Sequence, residues 1–223
     1  MNLERAVESP VSSRPTALLP SETNPRKLIG ARIALNIGES FDRSEKDFDL
    51  VYQLCRGAGR VCTAPAAGGK EILDFLVPGD FFIQVPGAMP YGFEAIVDRT
   101  IVMAYSLQTI TCLAKAIPGY AEIFNIVMTT PADRLHRQIS ILSGTSPTEK
   151  LALFLRDMFE RLSPYTNNDL MLPMCRPEIA KYLSMTDELT HQALQPFAKM
   201  GAIREIGTRG VMITNGNQLY DLQ

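Results

Sequence analysis

Apolar residues change their spacing along this chain, and the changes divide it into stretches of different character. Residues 1–25 are polar and rich in proline and serine, with no apolar period, which predicts a disordered or loosely packed tail. Over residues 26–117 the apolar runs are short and extended. Ala31–Ile37 alternates crudely, Asp49–Cys55 and Gly59–Thr63 are strand-like, Glu71–Val77 leads into the turn Pro78-Gly79-Asp80, and Ala95–Tyr105 is a long β-branched run. Glycines at 57, 59, 68, 69, 79, 87 and 92 punctuate these runs at about the spacing of an all-β sandwich or barrel.

The period then becomes helical. Pro118 suits the first turn of a helix over 118–144, where Phe124, Met128, Pro131, Leu135, Gln138 and Leu142 recur in alternating steps of four and three, the pattern of a coiled-coil seam. Phe124, Met128, Leu135 and Leu142 are therefore candidates for a dimer interface, with ordinary core as the other reading. Pro131 removes a backbone donor and should kink this helix, or Thr130 caps a fresh start. The third stretch, 145–223, opens on Ser146-Pro147-Thr148-Glu149, a capping box with proline at the first helical position. Leu151, Phe154, Leu155, Met158, Phe159 and Leu162 follow as an apolar face, and Ser163–Asp169 reads as a loop.

Leu172–Ile203 predicts a short helix, a tight turn and a second helix. Ile179, Ala180 and Leu183 have helical spacing, and small Ala180 and Ser184 would let two helices approach closely. Thr186 is a natural N-cap, with Asp187 and Glu188 in the first turn, where carboxylates suit the helix dipole. Leu189, Ala193, Leu194 and Phe197 form a buried stripe, leaving Glu188, His191 and Gln192 on the other face. Ile203–Ile206 and Val211–Ile213 flank Gly207-Thr208-Arg209-Gly210 as a hairpin wing. A helix held this way can enter the major groove of DNA with its first residues against base edges. The fold class is thus α+β.

Composition narrows the function. The chain has 223 residues, 46% of them hydrophobic, enough for real cores. It lacks an apolar run of about 18 residues and the apolar centre of a signal peptide, so a cytoplasmic protein without a membrane span is expected. Cys55, Cys62, Cys112 and Cys175 are scattered with no CxxC pair. This excludes a metal cluster built from one local motif and speaks against disulfides. Cys55, Cys62 and Cys112 lie in apolar runs and read as core residues. No GxxxxGK, HExxH or GxSxG motif is present, and two histidines far apart give a catalytic triad little material. An enzyme is not expected, nor is any catalytic residue. The net charge of −2, and five basic against five acidic residues from Leu172 to Gln223, do not supply the usual basic footprint of a DNA binder.

In this order the parts resemble the CRP/FNR family of bacterial transcription regulators, from about residue 26 onward. The residues that carry the resemblance are GAGRVCTAPAAGGKEILDFLVPGDFF (57–82) and LPMCRPEIAKYLSMTDELTHQAL (172–194). The second, with Cys175 before its first helix, is similar to the FixK-like and FNR-like branches. The resemblance implies a β-roll of the cyclic-nucleotide-binding, jelly-roll type, a long dimerisation helix and a C-terminal winged helix-turn-helix. It further implies a homodimer on palindromic double-stranded DNA, RNA polymerase as a partner, and control of anaerobic, microaerobic or nitrogen metabolism. Family members often read bases with a Glu and, three and four positions later, a Ser and an Arg. Glu188 matches the Glu, but His191 and Gln192 stand in the other two positions. Arg suits guanine O6/N7 and Gln suits adenine N6/N7, so an altered or weakened half-site is expected. Pro196 departs as well and could bend the recognition helix away from DNA.

Arg176, Thr186 and Arg209 are the candidate phosphate contacts, with a solvated charge as the bland reading of the two arginines. Cys175 reads either as a redox switch, its thiol activated at a helix N-terminus, or as a small residue at a cap. Residues 79–98, where cyclic-nucleotide-binding members carry an Arg-Ser pair, contain no serine and no arginine before Asp98, which argues against a cyclic nucleotide. An FNR-type iron–sulfur centre needs N-terminal cysteines, and none precedes Cys55. Haem has only His136 and His191 as histidine ligands. No cofactor and no metal are therefore expected. The alternative reading is a degenerate family member, a sensory or protein-interaction module without specific DNA binding.

Overall fold

In the computed structural model, which describes residues 30–41, 50–63, 70–84, 91–163 and 169–221, the strand-like runs pair into two four-stranded antiparallel sheets. The tail expected over residues 1–25 lies outside the described residues. The first sheet runs β1 (Ala31–Leu35), β8 (Thr100–Ser106), β3 (Leu50–Arg56), β6 (Phe81–Gln84); the second runs β2 (Ser40–Phe41), β7 (Tyr91–Ala95), β4 (Gly59–Thr63), β5 (Ile72–Leu76). Leu35, Tyr52, Leu54, Phe82, Val102 and Ala104 from one sheet meet Val61, Leu76, Phe93 and Ala95 from the other, so the sheets pack face to face. This is the α+β β-roll that the resemblance implies.

Residues Ala95–Tyr105 are not one strand. The chain turns at Ile96–Arg99, where Arg99 has φ +56°, and β7 and β8 enter different sheets. The reason is visible in β8: Val102 and Ala104 face the inter-sheet core while Met103 and Tyr105 face helices, so an apolar run buried on both faces carries no alternation to mark its ends. A helix not expected from sequence, α1 (Leu107–Ala116), follows directly, capped by Ser106. It leaves Cys112 exposed, not in the core.

α2 (Pro118–Leu142) begins at the expected proline and runs as one helix through Pro131. Ile110, Tyr120, Ile123 and Val127 bury Val51, Phe81 and Tyr105 on the outer face of the first sheet. α3 (Pro147–Leu162) starts at Ser146, whose Oγ accepts from Glu149 N–H at 3.1 Å. Then come β9 (Leu170–Met171), α4 (Arg176–Tyr182), α5 (Asp187–Lys199), β10 (Ile203–Ile206) and β11 (Gly210–Ile213), with the three strands ordered β10-β11-β9.

The helical half is not a bead on a string. Its core includes Cys62, Ile72 and Phe75 of the second sheet, and Phe75, Phe154 and Tyr182 form a ring cluster with centroids 5.3–6.2 Å apart. Beside it lies a charged cluster. Arg161 Nη1 donates to Asp157 at 2.8 Å and Nη2 donates to Asp80 and to the Phe75 carbonyl. Arg134 Nε lies 3.2 Å from Asp74. Burial pushes the Asp74 carboxyl up. Burial works against the charge of Arg161 too, but Asp80, Asp157 and Asp74 outweigh it and hold the guanidinium protonated. Arg60 of β4 adds a pair to Glu178 of α4.

Candidate nucleic-acid interface

α4 is short because its start and stop signals lie close together. Cys175 is its N-cap, and Glu178 Oε2 accepts from Cys175 N–H at 2.7 Å. At the other end Ser184 takes φ +55°, Ser184 N–H donates to Lys181 O at 3.2 Å and Met185 N–H to Ala180 O at 2.8 Å. These two bonds close the helix in a Schellman motif. Ser184 therefore makes the turn and is exposed, while Ala180 alone of the pair is buried.

The turn delivers Thr186 as N-cap of α5, its Oγ1 accepting from Leu189 N–H at 3.1 Å. The buried stripe of α5 is Thr190, Ala193, Leu194 and Phe197. Leu189, expected in that stripe, is 37% exposed. Thr190 takes its place because 190, 193, 194 and 197 share one helical face, and its hydroxyl donates to Thr186 O at 2.9 Å. Pro196 does not end the helix, which continues to Lys199, although Gln192 O loses its usual donor there. Gly201, at φ +80°, turns the chain into the wing, where Ile203 pairs with Ile213 and Ile206 with Gly210.

The expected base readers Glu188, His191 and Gln192 are all exposed on one side of α5. Among the described residues neither Glu188 nor Gln192 has a side-chain hydrogen bond or ion pair. His191 is held. Its Nδ1 lies 3.1 Å from Glu205 Oε2 of β10 and 3.3 Å from Arg176 Nη1. Arg176 is not a free clamp: Nε and Nη2 make a two-pronged pair with Asp187 at 2.8 and 3.0 Å, and Nη1 donates to Glu205 at 3.0 Å. The Arg176 hydrogen bonds hold the Asp187 carboxyl below its usual range. Arg209 is exposed at the wing tip, and its carbonyl accepts from Arg176 N–H at 2.8 Å. Glu205 and Gln195, whose Nε2 donates to Glu205 at 3.1 Å, belong to this network and were not singled out from sequence. A wing strand fourteen positions from His191 leaves no local signal of the pairing.

Burial, the largest cause, pushes the Cys175 thiol up; the Glu178 backbone N–H lowers it and the Glu178 carboxylate raises it. This runs against the activated thiol that a redox switch needs, because half-burial outweighs the helix N-terminus. On α2, Met128 and Leu135 are exposed and Phe124 and Leu142 half-buried. Gln138 turns inward, donating from Nε2 to Leu73 O, and Ile139 takes the outward position. In the roll, Phe41, Tyr52, Phe82 and Phe93 stack with centroids 4.7–6.2 Å apart and occupy the space between the sheets. Residues 85–90 of the 79–98 stretch lie outside the described residues. Among the described residues no group of three or more His, Cys, Asp or Glu could hold a metal ion, and no helix is long and apolar enough to cross a membrane.

No protein-family model matches the chain. Among curated proteins it is similar to the nitrogen fixation regulation protein FixK of Bradyrhizobium diazoefficiens, 25% identical over 178 residues that cover 78% of this chain and 75% of that one. It is 31% identical over 144 residues to the transcriptional activatory protein AadR of Rhodopseudomonas palustris, covering 63% and 59% of the two chains. Among solved structures, FixK2 from Bradyrhizobium japonicum superposes with TM-score 0.70 at 24% identity, covering 88% of this chain and 98% of that one, a likeness of fold. Relatives and fold agree with the resemblance to CRP/FNR-type, FixK-like transcription regulators.

Proposed function

We propose that this CRP/FNR-type, FixK-like chain is a homodimeric, sequence-specific DNA-binding transcription regulator that binds a palindromic promoter site. The observation that carries the reading is the outer face of α5. Glu188 and Gln192 stand exposed and, among the described residues, without side-chain partners on a capped helix backed by a buried stripe. Glu188 accepts from cytosine N4 and Gln192 takes adenine N6/N7 in two hydrogen bonds. Thr186, through its backbone N–H, and Arg209 on the wing contact phosphates, which position the protein without reading sequence. Arg176 reaches phosphate only by exchanging a carboxylate, so its main work is to brace the helix start. Dimerisation uses the outward face of α2, since a two-fold DNA site needs a two-fold protein. RNA polymerase is the partner through which a transcriptional regulator acts from such a site.

The sequence speaks against a cyclic nucleotide in the roll, since residues 79–97 bring no cation for a cyclic phosphate. Selection of binding sites from random duplex DNA by the full-length protein tests the proposal. A palindrome with half-sites about one helical turn apart is expected, with adenine opposite Gln192 and that preference lost in Gln192→Ala. A second reading is favoured by one observation: Asp187, Glu188 and Glu205 crowd the start of α5 and Arg176 is spent on two of them. On that reading the chain is an interaction module without specific DNA binding, and selection returns no motif.

A further inference from the structure

Glu205 is the acceptor at which three side chains from two other elements meet. Oε2 lies 3.0 Å from Arg176 Nη1 and 3.1 Å from His191 Nδ1, and Oε1 lies 3.1 Å from Gln195 Nε2. Two contacts compete at Nδ1: Arg176 Nη1 at 3.3 Å, which can only donate, and Glu205 Oε2 at 3.1 Å, which can only accept; the carboxylate contact is the shorter, and a bare Nδ1 there would set lone pair against lone pair. The consistent assignment puts the imidazole proton on Nδ1, donated to Glu205, as a carboxylate beside a histidine fixes its tautomer. In the neutral imidazole Nε2 is then the acceptor, carried on the exposed side of α5. We infer that Glu205 on the wing sets His191 as a hydrogen-bond acceptor toward DNA, making His191 a reader of exocyclic amino groups, adenine N6 or cytosine N4. The inference rests on the DNA-binding reading above.

The same geometry specifies what happens when the carboxylate is removed. Arg176 Nη1, 3.3 Å from Nδ1, remains beside the ring and can only donate. Nδ1 must then accept, the proton moves to Nε2, and the outward face of His191 becomes a donor suited to guanine O6/N7 or thymine O4. A wing residue that touches no base thus decides which base a helix residue reads.

Two measurements test this on the full-length chain at pH 8. The first is the nitrogen-15 NMR signature of the imidazole in the DNA-free protein, with His136→Gln separating the two histidines. The proton is expected on Nδ1 in the parent and on Nε2 in Glu205→Ala. A proton on Nε2, or on both nitrogens, in the parent would overturn the inference whatever the protein does with DNA. The second is binding-site selection with the parent, Glu205→Ala and His191→Ala. At the base facing His191, adenine or cytosine is expected to be favoured about five- to tenfold, the worth of one hydrogen bond. The preference should invert toward guanine or thymine in Glu205→Ala and vanish in His191→Ala. A palindrome recovered with that base unchanged in both variants sinks this inference and leaves the functional reading standing. No motif from the parent sinks both.

Discussion

Ser184 holds the turn between α4 and α5 in a left-handed conformation, φ +55°, that costs a residue with a Cβ about 1–2 kcal/mol. Replacing it with glycine should recover about 1 kcal/mol, seen as a higher urea midpoint with an unchanged slope; a lower midpoint would show that the hydroxyl repays the strain. Cys175 carries a raised pKa, and a raised pKa means less thiolate at neutral pH. Mass-resolved alkylation at pH 7.5 should modify exposed Cys112 first and Cys175 well behind it, whereas rapid labelling of Cys175 would favour the redox-switch reading. The side chains legible in the sequence are those with local partners. Thr186 and Ser146 cap within three residues of themselves. Glu205 and the engaged state of Arg176 were not legible, because they depend on a wing and a helix that only the fold brings together. Leu189 was misplaced because Thr190, though polar, satisfies its hydroxyl on its own helix and can be buried.

α2 carries three of the large apolar side chains that stand exposed among the described residues. Met128, Leu135 and Ile139 are 43%, 55% and 53% exposed and, with Ala132, follow steps of four, three and four. That spacing is a coiled-coil seam, shifted from the sequence expectation where Gln138 turns to the roll. Leu135→Glu with Ile139→Glu should convert a dimer of twice 24.7 kDa into a monomer by light scattering, with the circular dichroism of the parent. A double variant that stays dimeric would move the interface elsewhere. Helices with a polar face were readable from period. β6 and β7 were not, because β6 is four residues of FFIQ and β7 is five residues of YGFEA, whose Gly92 and Glu94 blur an apolar alternation. α1 follows β8 without a break, so a change of period without punctuation hid it.

At the scale of the whole molecule, the order of roll, long helix and winged helix was legible, and the docking of one half on the other was not. That docking is made by Phe75 and by charges distant in sequence, the Asp80–Arg161 pair spanning 81 positions. Breaking a buried charge network by deleting one member costs about 3–5 kcal/mol. Arg161→Met should therefore lower stability by about that amount in denaturant, and hydrogen exchange should rise in both β5 and α3. A loss below 1 kcal/mol would show that the two halves are held by apolar packing alone. On the proposed reading a dimer places two α5 helices on one duplex, and both halves serve one surface. The most direct measurement is fluorescence anisotropy of the full-length protein on its selected duplex and on a scrambled duplex across a salt series. Tighter binding to the selected duplex by a factor of about 10³ or more, with log affinity falling linearly with log salt on both, is the result expected of a sequence-specific regulator. Equal affinities for the two duplexes at every salt concentration would contradict it.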